Sequence, residues 1–287
     1  MSVSIIIPTM CELRRKASLL RAIDSVLQQD AGDVEVIVIV NGDRFDPELF
    51  AEVKADARLR VYYQQIGNQH AAQRFGRTLV NKDYFAFLDD DDEYLPGALK
   101  IRMAPLLEDL TLDMVATNGF RREMADSRYV DEDAASINRD PFATMIRRNW
   151  LASCGGQYRS RAIHIDYFDG KTKHFEWTLL AFRILLANHK VLFVNVPTFR
   201  VFDSPESLSK SLDYQRAAAG VIEHLLSLEP PLRIRNALQR RRSAAHHNLS
   251  FQFLTLGDRK SAWRFHLKSL IGPGGWRYLA YTRRLLC

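Results

Sequence analysis

Tyr84-Phe85-Ala86-Phe87-Leu88-Asp89-Asp90-Asp91-Asp92-Glu93 is a run of five apolar residues followed without a break by five acids. The apolar half predicts a strand buried on both faces, and in an open α/β sheet the carboxyl end of such a strand is where ligands sit. Carboxylates this crowded repel one another unless protons, arginines or a metal compensate, so the junction points to a divalent cation site. The competing reading is a solvated acidic turn, the ordinary fate of a charge run. A buried strand that delivers the acids to a sheet edge favours the cation.

Three strand–helix units lead up to this junction. Residues 2–7 predict a first strand, stopped by Pro8 and followed by the loop Thr9-Met10-Cys11-Glu12. Ala17, Leu19, Leu20, Ile23, Val26 and Leu27 then recur at helical spacing, with Arg14, Arg15, Lys16 and Arg21 on the opposite, solvated face. Residues 34–40 are β-branched, as in a parallel strand buried on both sides, and end on Asn41-Gly42-Asp43. Asp46-Pro47-Glu48 reads as a cap and first turn of a helix to about residue 54, residues 59–63 as a third strand, and 68–80 as a third helix. The crossover rule turns this β-α-β-α-β-α-β series into a right-handed parallel sheet. Its ligand edge gathers residues 8–12, 41–43, 64–68 and 89–93. Neither a glycine-rich dinucleotide fingerprint nor a Walker-type phosphate loop is present.

Downstream, Pro96-Gly97 opens a helix to about residue 107, and 113–117 predict a strand. Residues 118–140 read as a polar loop or short hairpin, and Asp140-Pro141 opens a helix to about 148. A turn-rich passage over 150–157 precedes residues 158–163. The helix over 174–188 is apolar almost all round and carries Glu176 and Arg183 on one face, where a structural ion pair is the plain reading. A last strand, 191–196, is ended by Pro197. From residue 212 only helices are predicted, over 214–228, 232–256, 259–269 and 276–286, the middle two forming a hairpin across Gly257-Asp258.

With 287 residues, 47% of them hydrophobic, the chain suits one large domain with an appendage. Its longest aliphatic run is too short to span a bilayer and the N-terminus lacks a signal-like pattern, which leads us to expect a cytoplasmic protein. Cys11, Cys154 and Cys287 are scattered and odd in number, as suits a reducing compartment. From residue 230 on, twelve Lys or Arg stand against one acid, Asp258; that segment carries +11 and leaves −5 for residues 1–229. Arg240-Arg241-Arg242 near Phe251 and Phe253, and Trp276-Arg277-Tyr278 and Tyr281 near Arg283-Arg284, combine cations with interfacial aromatics. Two readings stand side by side: a peripheral contact of 230–287 with an anionic membrane, and a helical appendage packed on the preceding domain.

Ser4-Ile5-Ile6-Ile7-Pro8-Thr9, residues 22–29, residues 36–43, Phe87-Leu88-Asp89-Asp90-Asp91-Asp92, and Phe168-Asp169 with Phe175-Glu176-Trp177 and Arg183 occur in an order and spacing that resemble the family 2 glycosyltransferases with a GT-A fold. The resemblance covers about residues 2–210. It implies an α/β fold of GT-A type, a mixed, mostly parallel nucleotide-binding sheet flanked by helices. The catalytic domain would be 1–211, with a nucleotide half 1–92 and an acceptor half 93–211, followed by the basic helical region 212–287. It also implies inverting transfer of a sugar from a nucleotide-diphosphate donor, a UDP-sugar being favoured, to a saccharide or lipid-linked acceptor in envelope polysaccharide or glycolipid assembly, assisted by Mn2+ or Mg2+.

In the family register Asp89 and Asp91 form the metal motif, Asp91 ligating and Asp89 facing the ribose or a metal-bound water. The fourfold run also permits Asp90 with Asp92, and Asp92 alternatively touches the donor sugar. Glu176 matches the general base, although the family more often has Glu-Asp where this chain has Phe175-Glu176. Asn41 and Asp43 correspond to the loop that meets the base, and Thr9 and Glu12 line the same pocket. Arg74 matches a basic position facing the donor. Arg200, with Ser204, Ser207, Ser209 and Lys210, resembles a loop that closes over the diphosphate. His70 and His174 lack ligand spacing.

Three rivals fit less well. A haloacid-dehalogenase-like phosphohydrolase wants Thr or Val where Glu93 stands, and a sugar nucleotidyltransferase wants a glycine-rich basic loop in place of residues 8–12. A nucleic-acid-binding or scaffold protein built on the basic tail leaves the acidic strand end without a use.

Overall fold

The computed structural model describes residues 2–131, 133–169, 175–202 and 212–286. Contacts divide the chain into two compact units, Met1–Lys171 with Glu176–Ser204, and Thr172–Phe175 with Pro205–Cys287. His174, Ser204, Ser207, Ser209, Lys210, Cys287 and the expected boundary at 211 lie outside the described residues.

The first unit is organised by four parallel strands, β1 (Ser2–Thr9), β2 (Asp33–Asn41), β3 (Leu59–Gln64) and β4 (Tyr84–Phe87), in the order β3-β2-β1-β4. Helices α1 (Lys16–Leu27), α2 (Pro47–Ala55) and α3 (Gln69–Thr78) make the crossovers, as the hydrophobic pattern predicts. Alternate residues go to opposite faces. Val3, Ile5 and Ile7 of β1 and Val36, Val38 and Val40 of β2 share one core with Leu19, Ile23 and Val26 of α1 and Leu49 and Val53 of α2. On the other face α3 lies very close to β1, because a Cβ on Gly76 would stand 2.4 Å from Ile6 Cγ2. Asp46 and Asn68 cap α2 and α3 by accepting from the amides of Leu49 and Ala71.

The chain then forms β5 (Glu93–Tyr94), α4 (Ala98–Glu108), β6 (Met114–Arg122), β7 (Asp126–Arg128), α5 (Ala134–Arg139), α6 (Pro141–Arg147), β8 (Gly156–Arg159), α7 (Glu176–Leu186) and β9 (Val191–Phe202). The sheet continues from β4 through β8, β6 and β9 to β5, with β7 paired to β6. Its long ladders are parallel, β6 with β9 included, and the antiparallel ones span two or three residue pairs. This is the mixed, mostly parallel α/β sheet that the resemblance implied.

Both strands expected to stop at prolines run past them. Pro8 lies beyond the ladder with β4, which covers Val3–Ile6, while the ladder with β2 continues to Thr9; a missing N–H costs little where one neighbour has ended. Pro197 sits in a bulge, where Thr117 pairs with Val194 but Asn118 pairs with Pro197. Of the two readings of the segment from 118, loop or short hairpin, the hairpin is present: β6 runs on to Arg122 and the chain turns back through β7.

The second unit is helical: α8 (Leu212–Ser227), α9 (Leu232–Thr255), α10 (Arg259–Leu270), a 3₁₀ turn (Gly275–Tyr281) and α11 (Thr282–Leu286). The expected hairpin is present. Gly257 takes a left-handed backbone, φ 79°, after α9, and Asp258 caps α10 by accepting from Ser261 N. The last predicted helix departs from expectation by starting as 3₁₀. Among the described residues no helix is long and apolar enough to cross a membrane.

Candidate active site

The acidic run leaves β4 as a turn closed by Asp92 N donating to Asp89 O, 3.1 Å, and the turn sorts its carboxylates. Asp90 is buried and accepts from the Thr9 hydroxyl at 2.5 Å, while Thr9 Oγ1 accepts from Cys11 N. Asp92 is buried as well, accepting from Phe202 N at 3.2 Å and from the Cys154 thiol at 3.6 Å. Asp89 and Asp91 are left at the sheet edge. Asp89 accepts from Gln69 Nε2 at 3.0 Å, and the half-exposed Asp91 is paired with Arg15, whose Nη2 is also 3.1 Å from Asp90 Oδ1.

Burial, reinforced by Asp91, pushes the Asp89 carboxyl up to about 7. Burial likewise raises Asp90 to about 6, against the opposing pull of Arg15, and lifts Asp92 well above the carboxylate range. The acids are therefore short of positive charge. Among the described residues no group of three His, Cys, Asp or Glu is arranged to hold a metal by itself. Two hard carboxylates at the edge of the sheet nevertheless suit a hard divalent cation such as Mn2+ or Mg2+.

Glu176 opens α7 and lines a cavity with His70, Gln73, Phe168, Asp169, Trp177 and Arg183. Burial pushes its carboxyl up to about 7 and holds the His70 imidazole below its ordinary value. Two contacts tie this cavity to the acidic turn. The Trp177 ring packs edge-on to Phe87 at 5.3 Å, two residues before Asp89. The N-terminal half of α3 sends Gln69 to Asp89, and His70 and Gln73 into the Glu176 cavity.

The other expected residues fall into place unevenly. Glu12 is paired with Arg14 and Arg44, and Asp43 is exposed and accepts from the Tyr63 hydroxyl at 2.9 Å. Asn41, expected against the base, is buried and donates to Thr9 O at 2.9 Å, so it ties the ends of β2 and β1 together. Thr9, Asp90 and Asp92, expected at the donor, are buried, Asp90 held by Thr9 and Asp92 by Phe202 N and Cys154. Arg74 is paired with Asp169. Arg183 turns away from Glu176 and donates to the carbonyls of Tyr167, at 3.1 Å, and Asp169, which corrects the expected ion pair. Arg200 lies within β9 rather than in a loop after it, and it is held by Glu93 and by Asp126 at 3.1 Å.

Sequence reasoning missed Arg15, Arg21 and Gln69. Both arginines were expected on a solvated helix face. Arg21 instead donates to Asp91 O at 2.8 Å and stacks on Phe202 at 4.1 Å. The overlooked signal is positional, since a helix that follows the first parallel strand starts at the ligand edge.

The family model described as Glycosyl transferase family 2 matches residues 4–200. The uncharacterized glycosyltransferase EpsJ of Bacillus subtilis is 33% identical over 119 residues, 41% of this chain and 34% of that protein. The GalNAc(5)-diNAcBac-PP-undecaprenol beta-1,3-glucosyltransferase of Campylobacter jejuni is 33% identical over 104 residues, 35% of this chain and 33% of that protein. The chain thus spans about a third of the length of these curated relatives. Among solved structures, TarS 1-349 of S. aureus in complex with UDP-GlcNAc superposes with a TM-score of 0.61 at 13% identity, covering 93% of this chain and 90% of that one.

Proposed function

The chain belongs to glycosyl transferase family 2, and from that premise we propose that it transfers a sugar, with inversion, from a UDP-sugar to the hydroxyl of a saccharide or lipid-linked acceptor. Envelope polysaccharide or glycolipid assembly is the setting we infer, residues 1–92 serving the donor and 93–211 the acceptor. The UDP-GlcNAc bound by TarS and the undecaprenol-linked substrate named for the Campylobacter protein support the choice of substrates. Free, buried Cys11 and Cys154 accord with a cytoplasmic site.

The observation that carries the reading is the junction of the two halves. Trp177, next to Glu176, rests on the strand that delivers Asp89 and Asp91. That contact supports a carboxylate base working beside a cation-seeking acid pair. Asp91, with Asp89 beside it, would hold Mn2+ or Mg2+. Bound there, the ion supplies positive charge against the charge that builds on the departing diphosphate.

Glu176 does the proton work. Its ionised carboxylate accepts the proton of the acceptor hydroxyl as that oxygen bonds to the anomeric carbon and the bond to the nucleotide diphosphate breaks. A carboxyl lifted to about 7 by burial is a stronger base than a solvated one and is still ionised in useful amount at neutral pH. The apolar wall of Phe168, Trp177 and Leu180 limits water around it.

Calorimetry of a panel of nucleotide diphosphates and their sugars, with and without Mn2+, tests the donor assignment. One nucleotide should bind in a metal-dependent way, and Asp91→Ala should remove that dependence. If no nucleotide binds under either condition, the donor site is misassigned.

A further inference from the structure

The helical second unit buries Leu249 and Ala262 together with Ser250 and His266 where α9 and α10 pack, Ser250 donating to Ala262 O at 2.7 Å. On the outside, Trp276 and Leu286 are 70% exposed, Ile271 64% and Leu279 56%. Soluble chains rarely leave so many large apolar side chains of one short segment in water without a use for them.

Ile271, Trp276 and Leu279 belong to one surface element, and α11 with Leu286 follows it directly in the chain. Trp276 and Leu279 are three apart in a 3₁₀ turn of three residues per turn, so they stand one above the other. The turn also starts hard against the end of α10. A Cβ on Gly275 would stand 2.3 Å from Leu270 O, and Gly275 N donates to Gly272 O at 3.2 Å. Ile271, at that corner, is thus carried next to the turn.

Cations are interleaved with the apolar groups. The Arg277 guanidinium lies 5.8 Å from the Trp276 ring centroid, and Arg283 and Arg284 follow on α11. The one acid of residues 230–287, Asp258, is spent capping α10. Nucleic acid would use the cations and the aromatic ring but has no use for exposed Ile271, Leu279 and Leu286. An anionic lipid surface uses both kinds of group, taking the apolar side chains at the headgroup–acyl boundary and the arginines among its phosphates.

We propose that Ile271, the 3₁₀ turn Gly275–Tyr281 and α11 form a docking surface for an anionic phospholipid bilayer, on which the protein lies without crossing it. The proposal does not depend on the catalytic reading.

The test is co-sedimentation of the full chain with phosphatidylcholine vesicles, with and without phosphatidylglycerol. Binding should require the anionic lipid and weaken with salt. It should fall about tenfold both in the double variant Trp276→Ser, Leu279→Ser and in Arg283→Glu, Arg284→Glu. As a second readout on folded protein, brominated lipid should quench tryptophan fluorescence in the wild type more than in Trp276→Phe. Equal binding to neutral vesicles, wild-type binding by the serine variant, or equal quenching in Trp276→Phe overturns the proposal. So does a lipid-free dimer, seen by light scattering, that the serine variant abolishes, since the occupant would then be a second copy.

Discussion

The guanidinium of Arg15 is paired with Asp91 and reaches within 3.1 Å of Asp90 Oδ1, so a cation of the chain itself stands where the acids call for one. A divalent ion must displace it to reach Asp91. Arg15→Gln should therefore bind Mn2+ about fivefold more tightly than the wild type without donor, roughly 1 kcal/mol for one partly exposed pair. Free Mn2+ followed by electron paramagnetic resonance checks it; weaker binding by the variant would mean that Arg15 builds the site instead of competing for it.

Glu176 should set the pH dependence of transfer. Its base form dominates above about 7, so kcat should rise with pH through that region and level off. Glu176→Gln should keep donor affinity while turnover drops by about 10²–10⁴; a variant that retains transfer would remove Glu176 as the base.

The same shift predicts a stability effect with a definite sign. A carboxyl raised in the folded state binds its proton more tightly there than in the unfolded chain, so its contribution is complete below the unfolded value and is lost as pH rises through about 7. Above that pH, Glu176→Gln should be more stable than the wild type, by on the order of 3 kcal/mol at most. The advantage should shrink as the pH falls through the region between 7 and the unfolded value. Paired thermal melts across that range decide it, and a constant difference would show that burial of the charge is not the cause.

The parallel half of the fold was legible because its signals are local: β-branched runs, helical periodicity, and the cap Asp46. What was missed depends on neighbours distant in sequence. Pro8 and Pro197 look like strand stops until the ladders beside them are known. The two-residue β5 exists only because Phe199 and Arg200 lie opposite it. At the site, residue type singled out the acid run and the family resemblance pointed to Glu176, but neither said which aspartates face outward. That depends on Thr9 and Cys154, which lie 81 and 62 positions from their partners.

Gly76 is the tightest point between α3 and the sheet. Alanine in a helix interior ordinarily gains about 1 kcal/mol over glycine. Here the added methyl would stand 2.4 Å from Ile6 Cγ2, inside a strand that cannot give way, and overpacking of this kind costs about 1–3 kcal/mol. The clash should win. Gly76→Ala is expected to lower Tm by several degrees and, because α3 carries Gln69 to Asp89, to weaken donor binding as well. A variant as stable as the wild type would mean that α3 shifts freely on the sheet.

Two registers are available to an ion on four consecutive aspartates, and the inward pair is tied down. For Asp90 to turn outward it must give up the Thr9 hydroxyl at 2.5 Å, and for Asp92 the Phe202 amide and the Cys154 thiol. Each move strands buried polar groups at about 1–3 kcal/mol apiece. An ion on Asp89 and Asp91 has only to displace Arg15 from Asp91 and compete with Gln69 for Asp89, both contacts at the edge of the sheet. Asp90→Asn keeps an oxygen for Thr9 and trades the loss of one nearby charge against a looser Arg15, 3.1 Å from Asp90 Oδ1, so Mn2+ affinity should change by less than about threefold, whereas Asp91→Asn should lose about tenfold or more. Thr9→Val takes the hydroxyl from both Asp90 and Cys11 N and should lower Tm while the stabilisation by Mn2+ persists. Thermal shifts of the three variants with and without Mn2+ separate the cases, and loss of the metal effect in Asp90→Asn but not in Asp91→Asn would move the ion to the inner pair.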